Sequence, residues 1–171
     1  INLTFGSSCQ FNNLSTLFLK NGRNDNIAFF GNPNLQFVCA DEIEIADIQS
    51  NLIPNNNPDT VVSSYCSFTP GGNYYTIQGN TKLDNNNNGC DVEDTNYPDL
   101  KFSITNGTIS GSLIANTVGN YNIPVIAGTH TVTPVLENPS YFTVSPEVVN
   151  VTFPTQSSPF TQDFCITPNS V

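Results

Sequence analysis

"GNYNIPVIAGTHTVTPVLENPSYFTVSPEVVNVTFP", residues 119–154, decides the fold, because its apolar residues recur mainly at every second position. A period of two places one face of a strand in a core and the other in water. Gly, Pro and Asn cut the stretch into four short runs. Working outward from it adds "YYTIQGNTKLD", "LKFSIT", "GTISGSLIA" and "FTQDFCITP", all of the same type. Seven or eight such strands in roughly ninety residues are the number and spacing of an immunoglobulin-like antiparallel β-sandwich. Pro124, Pro134 and Pro154 fall inside or at the ends of runs, which suggests edge strands or strand ends.

Towards the N-terminus the period changes. Leu14, Leu17 and Leu19 stand at L-x-x-L-x-L spacing, and Leu35, Phe37 and Val38 repeat the theme 18 residues later, counted from Leu17 to Leu35. Leu3 and Phe5 would be an earlier rung. Leucine-rich repeats use this spacing because each turn supplies one short strand whose alternate residues enter a shared core. Ile43, Ile45, Ile48 and Leu52 then follow at mixed three- and four-residue spacing, as a short helix closing an open solenoid end would. The fold class expected is therefore mainly β. Residues 1–53 form a leucine-rich-repeat end with a helical cap, and 54–73 a linker marked by Pro54, Pro58, Pro70 and Gly71-Gly72. Residues 74–171 form the sandwich, with an Asp/Asn-rich loop at 84–95.

Four Lys or Arg against fourteen Asp or Glu give a net charge of -10, which repels phosphate backbones and anionic headgroups. Nucleic acid and direct membrane insertion are not expected as partners. No apolar run approaches about 18 residues, and the chain lacks Met altogether, so it reads as a processed or excised piece of something longer, with any export signal outside it. Five cysteines without a C-x-x-C pair, beside one His, lack zinc-site spacing and fit disulfides in an oxidising compartment. A Cys39–Cys66 bridge would staple the cap, the alternative being two small buried thiols. A Cys90–Cys165 bridge would tie the Asn-rich loop to the last strand and leave Cys9 as the odd thiol.

"LDNNNNGCDVEDTNYPDL" carries most of the chemistry. Asp84, Asn86 and Asn88 occupy positions 1, 3 and 5 of a D-x-N-x-N-G pattern, with Gly89 at the sharp turn and the Cys90 carbonyl at position 7. Hard oxygens at every second residue suit calcium. Position 12 is Thr95, so a bidentate ligand has to come from Asp91, Glu93 or Asp94. The alternative is a solvated loop closed by Asx-turns. His130 has no second His or nucleophile elbow near it in sequence and reads as a strand-surface residue. Lys82, Lys101, Asn150 and Glu137 are the residues from which a Lys–Asn isopeptide crosslink could be built. Asp59-Thr60-Val61 matches a short bacterial O-glycosylation acceptor, making Thr60 a candidate.

The order of "NGRNDNIAFFGNPNLQFVCADE", "SYCSFTPGGNYYTIQGNTKLDNNNNGCD" and "AGTHTVTPVLENPSYFTVSPEVVNVTFPTQSSPFTQDFCITP" resembles surface proteins of Flavobacterium-like Bacteroidetes exported by type IX secretion. The sandwich is similar to the B-type repeats of Sdr adhesins and to carboxypeptidase regulatory-like domains. Their loop motif is matched by Asp84, Asn86, Asn88, Gly89 and Asp91, but Thr95 stands where those repeats carry Glu. The resemblance implies a large modular secreted or outer-membrane-associated protein, and the role expected of this piece is non-catalytic, in adhesion or recognition and as a calcium-stiffened spacer. A protein or glycan ligand would meet the repeat surface around Thr16, Phe18 and Gln36. The alternatives are an accessory module of a secreted hydrolase and a cargo held by the type IX translocon.

Overall fold

The computed structural model describes residues 8–66 and 70–169, which fall into two compact units, Ile1–Asn73 and Tyr74–Val171. The early rung expected at Leu3 and Phe5 lies outside the described residues.

In the first unit, β1 (Thr16–Phe18), β2 (Phe37–Cys39) and β3 (Val61–Ser63) form a parallel sheet in that order, with α1 (Ile45–Leu52) between β2 and β3 in sequence. Leu17 lies beside Val38, and Val38 beside Val62. The repeat therefore advances 21 residues from Leu17 to Val38 rather than 18. Its core positions are Leu14, Leu17 and Leu19, then Leu35, Val38 and Ala40. Phe37 misleads the reading from sequence because it is apolar yet belongs to the outer row with Thr16 and Val61. The presumed linker is also corrected. Residues 61–63 are a strand of this sheet, and the segment up to Asn73 belongs to the first unit.

Helix α1 buries Ile45, Ile48 and Leu52, the last two in the same cluster as the rungs. Ile43, expected to help close the end, is exposed. Parallel coils leave backbone groups between successive turns, and a buried side chain satisfies them. Asn32 donates to the carbonyls of Phe29 and Cys9 and accepts from the Leu14 amide, so one side chain joins two coils.

The second unit contains β4 (Tyr75–Leu83), β5 (Thr95–Asn96), β6 (Lys101–Thr105), β7 (Ser110–Ile114) and β8 (Asn120–Val125), followed by β9 (Gly128–Val135), β10 (Phe142–Ser145), β11 (Val149–Phe153), β12 (Phe160–Thr161) and β13 (Phe164–Pro168). One sheet runs β10-β13-β4-β12, with β5 and β8 also paired to β4; the other runs β11-β9-β6-β7. Between them Phe102 meets Tyr121 and Phe164 at ring-centroid distances of 4.6 and 5.2 Å. Ile77, Ile104, Ile123, Val132, Val151 and Ile166 complete a fully buried apolar layer, as alternating strands facing one another require.

The sandwich is not wholly antiparallel, because β12 and β13 run parallel to β4. Between those two short strands the chain crosses so close to β4 that a Cβ at position 79 would lie 1.8 Å from the Gln162 carbonyl oxygen, which leaves room only for Gly79. Pro134 sits inside β9, a strand flanked on both sides, but β11 pairs only as far as Val132. The ring thus occupies a stretch where β9 is locally an edge.

Candidate functional site

The Asn-rich loop leaves β4 at Asp84, whose side chain is buried. Its carboxylate accepts N–H bonds from Asn88 at 3.1 Å and Gly89 at 3.0 Å, and the Thr167 hydroxyl lies at 3.4 Å. Asn86 Oδ1 accepts the Asn88 amide as well, so the turn is closed by Asx-type bonds, with Gly89 at φ +93°. The later acids close a second turn: Asp94 accepts the Asp91 amide and Asp91 accepts the Glu93 amide, both at 2.8 Å. Lys82 donates to the Asp91 carbonyl.

A calcium ion needs six to eight oxygens converging on one point. Asp84, Asn86, Asn88 and the Cys90 carbonyl offer such oxygens in the first turn, and Asp91, Glu93 and Asp94 belong to the second. Among the described residues no three His, Cys, Asp or Glu side chains come together as a metal-holding group. The expected seven-residue ligand set is therefore divided between two hydrogen-bonded turns.

Two disulfides hold the sequence-distant parts. Cys90 bonds to Cys165 of β13 at a Cα–Cα distance of 5.5 Å, and Cys39 of β2 bonds to Cys66 at 6.2 Å. Cys9 is free and partly buried; burial pushes its thiol pKa up, against the effect of a backbone hydrogen bond, away from a reactive thiolate. Beside the Cys90–Cys165 bridge a cleft of about 400 Å³ is lined by Lys82, Asp91, Val92, Asp163 and Phe164. Asp163 there accepts the Asn80 amide at 2.8 Å.

His130 is not on the strand surface. It is buried in β9 with a ring nitrogen 2.9 Å from the Ile126 carbonyl, on the same inward face as Val132. The crosslink candidates are likewise separated. Lys101 lies on β6 and Asn150 on β11, with β9 between them, and Asn150 accepts a hydrogen bond from the Thr131 hydroxyl. Thr60, the glycosylation candidate, is half-buried, and its hydroxyl donates to the Leu35 carbonyl at 2.7 Å.

Sequence reading treated the acids after Cys39 as parts of the cap and overlooked what Lys20 does. Lys20 is buried and donates to the Ser64 carbonyl; desolvation lowers its pKa, and Asp41 and Glu42 oppose that shift. Asp41 caps the Asn21 and Gly22 amides at 2.8 Å each. Glu44 accepts amides from Asp25 and Asp41, and burial raises its pKa despite them. The clue in the sequence was one of only two lysines before the sandwich's loop, set directly after an apolar run.

On the outer face of the parallel sheet, Thr16, Phe18 and Val61 are exposed and Phe37 is half-buried; Gln36, just before β2, is exposed. No helix among the described residues is long and apolar enough to cross a membrane.

No protein-family model matches the chain. No curated protein matches it either. Among solved structures it is similar to a double mutant of the shaft pilin SpaA from Lactobacillus rhamnosus GG, at 6% identity and a TM-score of 0.44, over 57% of this chain and 52% of that one. The chain thus spans about half the length of that pilin.

Proposed function

We propose that this chain is a non-catalytic recognition and spacer module of a secreted or cell-surface protein. The observation that carries the reading is the pair of disulfides, one in each unit, which belongs to an oxidising compartment. The parallel strands with a 21-residue advance are the end of a leucine-rich solenoid, whose outer row of Thr16, Phe18, Gln36 and Val61 meets a protein or glycan ligand. The sandwich acts as the spacer. Export by type IX secretion from a Bacteroidetes cell, with outer-membrane association, is the route in this proposal, and Thr60 would be glycosylated before the strand register closes over its hydroxyl.

Calcium contributes little to the loop in this reading, acting through Asp84, Asn86, Asn88 and the Cys90 carbonyl alone. A hydrolase-accessory or translocon-cargo role would need a partner surface elsewhere on the chain.

The test is binding of the purified chain to panels of immobilised glycans and extracellular proteins, with Phe18→Ser and Val61→Ser in parallel. Binding that falls at least about tenfold in both variants, with unfolding midpoints retained, supports recognition by the strand face. Ligands bound equally by all three proteins, or by none, would move function away from that face.

A further inference from the structure

We infer that β7 is an open docking edge and that its partner is the β7 strand of a second copy of this chain. Sheet edges expose unpaired N–H and C=O groups, and natural proteins usually blunt them. In this sandwich the other main edges are blunted and β7 is not.

Along β8, the Thr81 amide donating to Gly119 puts residues 119, 121, 123 and 125 against β4 and leaves 120, 122 and 124 facing out. Asn116 occupies both main-chain groups of Asn120, and Pro124 has no N–H. Along β11 the outward residues are 150 and 152, and Gln156 takes both groups of Thr152 through its side chain and its own amide. Strand β10 is four residues long and is followed by Pro146.

Along β7, the Ala115 amide donates to Leu100, which fixes residues 111, 113 and 115 against β6. The main-chain groups of Ser110, Ser112 and Ile114 therefore point away from the sheet. All three residues are exposed, with Ile114 at 62%. No proline interrupts the strand, and no neighbouring side chain donates to or accepts from those outward groups among the described residues.

The occupant follows from symmetry and charge. Three outward residues centred on Ser112 are self-complementary about a two-fold axis: Ser112 meets its own copy, and Ser110 meets Ile114. The chain carries a net charge of -10, yet from Phe102 to Leu136 it has no Asp, Glu, Lys or Arg. Strand β7 lies inside this uncharged stretch, so two copies can approach along it with little charge repulsion from the strand itself. The pairing would join two four-stranded sheets, β11-β9-β6-β7, into one continuous sheet.

The experiment is sedimentation of the full chain over a rising concentration series at physiological salt, with Ser112→Ala, Ser112→Pro and Ser112→Lys. The wild-type chain and Ser112→Ala are expected to dimerise weakly. Ser112→Pro removes only an outward N–H and places a ring in the partner's path, and Ser112→Lys sets two ammonium groups opposite each other. Each is expected to weaken dimerisation by about tenfold or more, equivalent to about 1.4 kcal/mol, while leaving the unfolding midpoint unchanged. Hydrogen exchange that slows with concentration at Ser110, Ser112 and Ile114 would confirm the edge without any variant. A chain that stays monomeric throughout, a dimer indifferent to both blocking variants, or protection confined to another edge would overturn the inference.

Discussion

The two units solve the problem of burying a strand in opposite ways. In the repeat unit, Lys20, Asn32, Asp41, Glu44, Asn57, Ser63 and Ser64 are buried together with the leucines. Among the described residues of the sandwich, the buried polar side chains are Thr81, Asp84 and His130, and an aromatic cluster of Phe102, Tyr121 and Phe164 fills the centre. Long antiparallel ladders satisfy their own backbone, so the sandwich core can be almost wholly apolar. Three-residue parallel strands cannot, and side chains complete the bonding between coils. The first unit is therefore sensitive to losing hydrogen bonds and to pH, and the second to losing volume.

The largest expected effect falls on the sandwich. Phe102→Ala removes the ring that Tyr121 and Phe164 pack against and should cost about 3–5 kcal/mol, read as a fall in the second unit's thermal transition while the first unit's stays in place. A shared fall in both transitions would break the division. Next comes Asn32→Ala, which strands the Leu14 amide and the Cys9 and Phe29 carbonyls; a loss of about 2–3 kcal/mol confined to the first unit is expected in denaturant titration.

A smaller effect comes from pH. Because burial raises the pKa of Glu44 in the folded state, the folded chain binds its proton more readily than the unfolded chain does. Glu44 therefore penalises folding at neutral pH, and the penalty is relieved as pH falls through the window just above its ordinary value of 4.5. Comparing the first unit's midpoint in wild type and Glu44→Gln should show the wild type gaining on the variant between neutral pH and that window; parallel pH curves would remove Glu44 from the account. The smallest effect is that of calcium. With the loop closed by its own bonds, replacing chelator by calcium should stabilise the sandwich by under about 1 kcal/mol, a shift of no more than about 4–8 °C. A much larger rise would mean that Asp91, Glu93 or Asp94 leaves its turn to complete the site.

The sandwich was legible because alternation survives in strands such as Lys101–Thr105, Gly128–Val135 and Phe164–Pro168. The two-residue strands Thr95–Asn96 and Phe160–Thr161 were not, since two residues carry no period. In the repeat unit L-x-x-L-x-L was visible but misaligned by three residues, because Ala40 is a weak marker of a core position and Phe37 a false one. Strand β3 was hidden by its prolines: Pro58 and Pro70 mark turns on either side of Val61–Ser63. The cysteine pairs were legible from what each bridge would close, cap in one case and loop in the other, and the structure joins the same residues. The hydrogen bonding of the loop was not, because a sequence lists carboxylates without saying which backbone amides they hold, as Asp84 holds those of Asn88 and Gly89.

The central claim, an exported module stapled once in each unit, is tested most directly by titrating thiols in the denatured, unreduced chain after folding in an oxidising compartment. One reactive thiol, mapping to Cys9, is the predicted result; five reactive thiols, the full cysteine complement, would contradict it.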